Sequence, residues 1–297
     1  MLYKVGDYMK CGLCLAGGGI KGAAHIGAIK AIEEEKIKFD YVGGTSSGSI
    51  IACLYACGFK ADEMYEIFKK YCKKIKYVDG INIIKLIIGL IFTGKIVING
   101  LNSGKQIEKL INKVCNKKGI YNISDIKMPL VIPSVDLCTG RLISFTSCEF
   151  RNTYSDDIIF QNDVNIGTAV RASCSYPVVF SPCDYQNIKL IDGGIRENVP
   201  WKELRVLKAD KVLNIIFEDD INNDNCNKNI IEVAGRSINL LCRELSNYEM
   251  DGSDYTIKIK SEKVGLLDTS RIDELYEIGY KATKKELKNI DFLKIKN

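Results

Sequence analysis

Tyr41-Val42-Gly43-Gly44-Thr45-Ser46-Ser47-Gly48-Ser49 sets a serine between two glycines in the pattern G-x-S-x-G and leads straight into an apolar run. In a nucleophile elbow a buried strand ends, the chain reverses in a tight turn and a helix begins, so the middle hydroxyl stands exposed above the sheet. Gly44 and Gly48 suit that geometry because strand and helix backbones approach where any Cβ would collide. The flanks agree: Phe39 to Val42 is short, apolar and partly β-branched, and Ile50, Ile51, Leu54, Tyr55 and Phe59 recur at helical spacing. A Ser/Gly-rich loop would show the same five residues, so the pattern must be weighed against the rest of the chain.

The chain has 297 residues, enough to bury a large core, and one α/β domain is expected. Hydrophobic content of 46% and charged content of 27% exclude disorder over most of its length. The net charge of +5 comes from scattered lysines, which indicates no nucleic-acid groove but leaves room for weak attraction to anionic lipid. Twelve cysteines are dispersed without framework spacing and read as reduced. Cys53 and Cys57 lie four apart, as a core face would, and with one histidine in the chain no metal site is expected. Residues 1–10 form a lead without a long apolar core, so no secretory signal is expected and the cytoplasm is the expected compartment.

Upstream of the elbow, CGLCLAGGGIKGAAHIGAIKAIEEE from Cys11 reads as a buried strand, a glycine-rich turn and a helix. Gly17-x-Gly19-x-x-Gly22 satisfies a dinucleotide fingerprint, with Asp40 downstream for a ribose. Asp40, however, precedes the second strand instead of closing it. The same loop offers unpaired backbone N–H groups at a helix start, which is what an oxyanion needs, and Gly18 and Gly19 are the candidate donors. Lys21 either holds that loop, faces anionic headgroups or is a solvated helix lysine. His25 precedes Ser46, the reverse of the Ser, acid, His order of α/β-hydrolases. It reads as a helix histidine packed under the loop, so a serine nucleophile would need another base, most simply a carboxylate.

Downstream, residues 60–77 read as an amphipathic helix and 81–98, INIIKLIIGLIFTGKIVI, as a buried or lid-like segment or plain core, too interrupted to span a membrane. Residues 99–115 read as a helix, 129–136 and 141–146 as a hairpin-like pair, 156–163 as an acidic exposed connection, and 165–173 as a helix. A sharp turn at Tyr176-Pro177 precedes the wall Val178-Val179-Phe180. Ile188 to Ile191 is an apolar strand closed by Asp192 and followed by Gly193 and Gly194, a routine turn former that also lets a backbone pass close to another site. Then come a strand at 211–217, a polar insert at 218–229, a helix through Leu245, a strand at 255–260 and an amphipathic helix from Arg271 to about Asn289.

The order GGGIKG, GTSSGS, AVRAS with YP and F, then DGG ahead of N-x-P closely resembles the patatin-like phospholipase family, from about Cys11 to Trp201. That resemblance implies a three-layer α/β/α fold with a largely parallel central sheet and a lipid acyl hydrolase acting on phospholipids or lysophospholipids. It implies Ser46 as nucleophile, Asp192 as its partner in a Ser-Asp dyad, and Gly17, Gly18, Gly19, Lys21 and Gly22 as the oxyanion loop, with Gly44, Gly48, Gly193 and Gly194 in support. It also implies no cofactor, no calcium requirement, a lipid substrate and transient contact with a membrane surface. Lys21 stands where the family often has arginine, which keeps charge but loses the planar fork; DGG replaces the other common form, DGA. Residues 11–205 would be the catalytic core and 206–297 strands and helices completing the same domain. The alternatives are a non-catalytic lipid-binding or scaffolding protein of this fold and a nucleotide-binding α/β protein.

Overall fold

β1 (Cys11–Leu15) is buried along its whole length, and its side chains alternate between two separate clusters. Cys11, Leu13 and Leu15 enter the larger one, while Cys14 and the following Ala16 enter the smaller one on the opposite face. A strand covered on both sides carries an unbroken apolar run, as the parallel strands of α/β proteins do. The structure is a computed structural model that describes residues 9–72, 79–149, 155, 157–219, 230–261 and 268–295.

The remaining strands of the described residues are β2 (Tyr41–Gly44), β3 (Leu130–Asp136), β4 (Leu142–Thr146), β5 (Ile158–Gln161), β6 (Cys183–Tyr185), β7 (Ile188–Asp192), β8 (Lys211–Asp219) and β9 (Tyr255–Ser261). Their order is β5-β4-β3-β2-β1-β8-β9, with β7 also on β3 and β6 on β7. From β3 to β9 every pairing is parallel, whereas β3 meets both β4 and β7 antiparallel. The sheet is thus mostly parallel, and its antiparallel part brings Asp192 opposite Ser134 on β3, beside the elbow strand.

The helices are α1 (Gly22–Glu34), α2 (Ser47–Ala56), α3 (Ala61–Cys72), α4 (Gly80–Thr93), α5 (Lys105–Cys115), α6 (Ile166–Ser173), α7 (Trp201–Val206), α8 (Ile230–Glu249), α9 (Ile272–Glu286) and α10 (Asp291–Ile295). The apolar faces of α1, α2, α3, α5, α6 and α9 build the larger cluster, and α7 with Met250 after α8 covers the other face. That gives the expected α/β/α layering.

Three expectations are corrected. Residues 158–161 form β5, parallel to β4, where an exposed connection was expected, because Ile158, Ile159 and Phe160 supply an apolar stretch between the acids. The helix expected over 99–115 begins only at Lys105; Leu101 and Asn102 instead donate their amides to Val178 and Val179, and Gly104 takes a left-handed φ of 68° before the helix starts. α4 is not core: Ile84, Ile88, Ile91 and Phe92 are all at least half exposed. The helix expected over 60–77 is present as α3 up to Cys72; residues 73–78 of it and 220–229 of the polar insert lie outside the described residues.

Candidate active site

Ser46 stands between β2 and α2 with φ 52° and ψ −124°, a backbone conformation that costs a non-glycine residue on the order of 1–3 kcal/mol. Such a residue persists only where its surroundings hold it. Its N–H donates to Ser173 Oγ at 3.0 Å, and its carbonyl accepts Ser49 Oγ at 2.6 Å and Cys174 Sγ at 3.1 Å. The two glycines of the pattern meet as the elbow requires. A Cβ on Gly44 would lie 2.4 Å from Gly48 O, and one on Gly48 would lie 2.2 Å from Leu15 O. Ser46 is half-buried, at the carboxyl end of a parallel strand, where open α/β sheets place their sites.

Asp192 ends β7 and is buried, 2% exposed. Its Oδ1 accepts the Gly194 N–H at 2.9 Å, while Oδ2 has no bonded partner among the described residues. Burial pushes the carboxyl up to about 7, opposed first by the Ser46 hydroxyl and then by the Gly194 amide. The two candidate residues, 146 positions apart in the chain, are therefore near enough for the Ser46 hydroxyl to act on the Asp192 carboxyl, whose Oδ1 is held by Gly194.

The glycine loop lies alongside. A Cβ on Gly17 would sit 3.1 Å from Ser46 Cβ, and Gly19 takes a left-handed φ of 59° as the loop enters a short 3-10 turn. The Gly17 N–H is occupied by Asn198 Oδ1 at 2.9 Å, so it is not a free donor. The amides of Gly18 and Gly19 take no partner among the described residues. Gly22 packs against Ser47 and Phe68 at the head of α1.

Lys21 is buried, with its ammonium 5.8 Å from the Phe217 ring centroid, and so it is neither the solvated lysine nor the headgroup contact weighed above. Holding the loop is the remaining alternative. His25 is also buried: its Nε2 lies 2.8 Å from Ala16 O, its ring is tilted over Phe217, and burial lowers it to about 4. It packs under the loop as a neutral side chain, as expected. Asp40 accepts the Cys11 N–H at 2.8 Å at the start of β1, the opposite end of that strand from the glycine loop. At roughly 3.3 Å per residue the five-residue strand separates the two by about 16 Å, which leaves the loop without its ribose acid and sets aside the nucleotide reading.

Several residues at the site carry no role in the sequence reading. Asn198 bridges the loop to α8, accepting from Gly17 and donating to Ser246 Oγ at 2.8 Å, while its own N–H donates to Glu249. Only its place in N-x-P signalled it. Arg171, buried, donates to Ser103 O, Ser175 Oγ and Ser181 O, and Ser175 O in turn accepts the Asp192 N–H at 3.1 Å. Arg171 thereby ties the segment between α6 and the Val178 wall into one piece behind the carboxylate. Cys53, Cys57 and Cys115 gather their sulfurs within 4.8 Å of one another, away from Ser46, at the far end of α2. The sequence showed only two of these three.

Ser46 at its strand-to-helix turn, the buried Asp192 carboxyl and the glycine loop thus lie together on a mostly parallel α/β sheet. The sequence profile described as patatin-like phospholipase matches residues 13–205, and this chain belongs to that family. Among curated relatives, the uncharacterized protein YqhO of Bacillus subtilis (strain 168) is 31% identical over 199 residues, covering 62% of this chain and 63% of that protein. Lysophospholipase NTE1 of Coccidioides immitis (strain RS) is 27% identical over 310 residues, covering 93% of this chain but 17% of the relative. The chain thus spans less than two thirds of either. Among solved structures, VipD from Legionella pneumophila superposes with a TM-score of 0.52 at 17% identity, covering 96% of this chain and 67% of that one. The type III effector protein ExoU gives 0.50 at 17% identity, covering 96% and 54%, so these two likenesses concern the fold. Among the described residues no helix is long and apolar enough to cross a membrane.

Proposed function

We propose that this chain cleaves fatty-acyl esters of phospholipids or lysophospholipids, with Ser46 as nucleophile and Asp192 as its base. The observation that carries the reading is the strained, firmly held Ser46 backbone beside a buried carboxylate whose second oxygen is free. Strain of this kind costs stability and serves no packing purpose that a glycine would not serve better.

In the proposed reaction Ser46 Oγ attacks the ester carbonyl carbon as Asp192 Oδ2 takes its proton. The oxyanion accepts hydrogen bonds from the free amides of Gly18 and Gly19, aligned by the turn that opens α1. Collapse expels the alcohol, which leaves with the proton from Asp192. Water then attacks the acyl-serine carbonyl, giving its proton to Asp192, and collapse breaks the acyl–Oγ bond, releasing the fatty acid as Asp192 returns the proton to Ser46 Oγ. A carboxylate in water is a poor base for a serine, and burial answers this by lifting the Asp192 carboxyl to about 7, near the working pH. Gly17, its N–H taken by Asn198, positions the loop without donating to the oxyanion. No step calls for a metal or cofactor. Residues 206–297 are taken to complete the same domain, because β8 and β9 extend the sheet from β1.

The test compares wild type, Ser46→Ala and Asp192→Asn on a short-chain p-nitrophenyl ester and on mixed phospholipid and lysophospholipid micelles, with released fatty acid measured by mass spectrometry. Turnover by wild type alone supports the proposal. A wild type that binds lipid but releases nothing supports instead a non-catalytic lipid-binding or scaffolding protein of this fold.

A further inference from the structure

From Gly80 to Ile107 the chain carries Lys85, Lys95 and Lys105 and no acidic residue at all. α4 occupies the first half of this stretch. At 100° per residue, Ile81, Ile84, Ile88, Ile91 and Phe92, with Ile83 and Ile87 beside them, cover about half of its circumference, and every one is exposed, Phe92 to 79%. Asn82, whose amide donates to Gly100 O, and Gly89, which packs on Val97, mark the opposite, anchored side. Seven large apolar side chains on one face exceed what a surface leaves facing water without a partner. Fourteen residues at 1.5 Å each reach only about 21 Å, short of the ~30 Å hydrocarbon thickness, so such a helix lies in an interface and does not span it.

Its position says which interface. The strand-like exit from α4 is hydrogen-bonded to the wall of the candidate site: Leu101 N–H donates to Val178 O, Asn102 N–H to Val179 O, and Ser181 N–H to Asn102 O. The chain just before that wall contributes Ser173 Oγ to Ser46 and Ser175 O to Asp192. The chain leaving α4 therefore runs into the wall of the site, and every charge between Gly80 and Ile107 is positive, with Asp79 capping the start of the helix. We propose that α4 seats on the surface of a bilayer carrying anionic headgroups, its isoleucines and Phe92 among the acyl chains and Lys85 and Lys95 at the phosphates, so that Ser46 meets an acyl ester drawn from that surface. This rests on the lipid-hydrolase reading for the direction in which substrate arrives, and it gives that reading its point of contact.

The test uses the full chain in a Ser46→Ala background, so that vesicles are not consumed, and measures co-flotation with phosphatidylglycerol-containing and pure phosphatidylcholine vesicles. Binding to the anionic vesicles, reduced tenfold or more by Ile84→Glu with Ile91→Glu and weakened by salt, is expected. In the Ser46-containing protein the same double substitution should leave p-nitrophenyl butyrate turnover within twofold of wild type while turnover on vesicles falls with binding. Flotation unaffected by the double substitution overturns the proposal. So does a wild-type dimer in solution that the substitution turns into a monomer, since the face would then cover a second copy. Equal loss on the monomeric ester and on vesicles overturns it as well, by making α4 part of the fold of the site. A protein without any esterase activity whose flotation still depends on Ile84 and Ile91 would refute the hydrolase reading and leave the docking surface standing.

Discussion

Replacing Asp192 by asparagine should abolish ester turnover and at the same time stabilise the fold, by an amount that grows with pH. In the folded chain burial lifts this carboxyl from 3.8 to about 7, and it is 2% exposed. In the unfolded chain it returns to the ordinary value near 3.9. Between these limits the folded state holds a proton that the unfolded state has released, so wild-type stability falls as pH rises. Below about pH 4 both states are protonated and the group contributes no penalty. Three units at about 1.36 kcal/mol each give a cost on the order of 4 kcal/mol above pH 7. Asparagine escapes that cost, and its carbonyl can still accept the Gly194 N–H that Oδ1 now receives at 2.9 Å. Glu249, also raised to about 7 by burial, is shared by both proteins and cancels in the difference. Urea unfolding at pH 4, 6 and 8 reads the effect directly. Asp192→Asn should gain little at pH 4 and most at pH 8. A difference that is flat with pH, or a variant less stable than wild type at pH 8, refutes the claim that an ionised carboxylate is held there at the expense of stability.

Other outcomes follow from the same geometry. kcat/KM on a monomeric ester should rise with pH through an inflection near 7 to a plateau, because Asp192 accepts a proton only when ionised; a profile level from pH 5 to 8 argues against it as base. Ser46→Gly should be more stable than Ser46→Ala by about 1–2 kcal/mol, since glycine tolerates φ 52° and alanine does not, and equal urea midpoints would contradict the strain. Asn198→Ala removes the partner of Gly17 N–H and should lower kcat up to about 10²-fold with little change in KM, as expected when the oxyanion loop drifts; unaltered kcat refutes its positioning role.

What could be read from the residues alone divides along a physical line. The elbow was legible because its constraint is local: a strand, a turn too tight for side chains and a helix must follow one another within a few residues, and Gly44, Ser46 and Gly48 record that. The unbroken apolar run of β1 and the helical spacing after Ser49 gave the layers for the same reason. Contacts across long stretches of sequence left little trace. The reach of Asn198 to Gly17, 181 positions away, and the clamp of Ser173 and Cys174 on Ser46 depend on how α6 and α8 dock, which no local pattern encodes. Hydropathy marked residues 81–98 as apolar without saying which surroundings they meet, and α4 proved exposed. Residue type left Lys21 between holding the loop, facing headgroups and solvation, and only its burial with the ammonium over Phe217 removes the last two. β5 hid among acids because only three apolar residues separate Asp157 from Gln161.

The most direct trial of the central claim is to treat the chain with a fluorophosphonate, digest it, and locate the adduct by mass spectrometry. A single phosphonylated residue, Ser46, formed rapidly in wild type and not in Asp192→Asn, is the result this geometry requires. An unmodified Ser46, or labelling that proceeds as fast without the carboxylate, would contradict it.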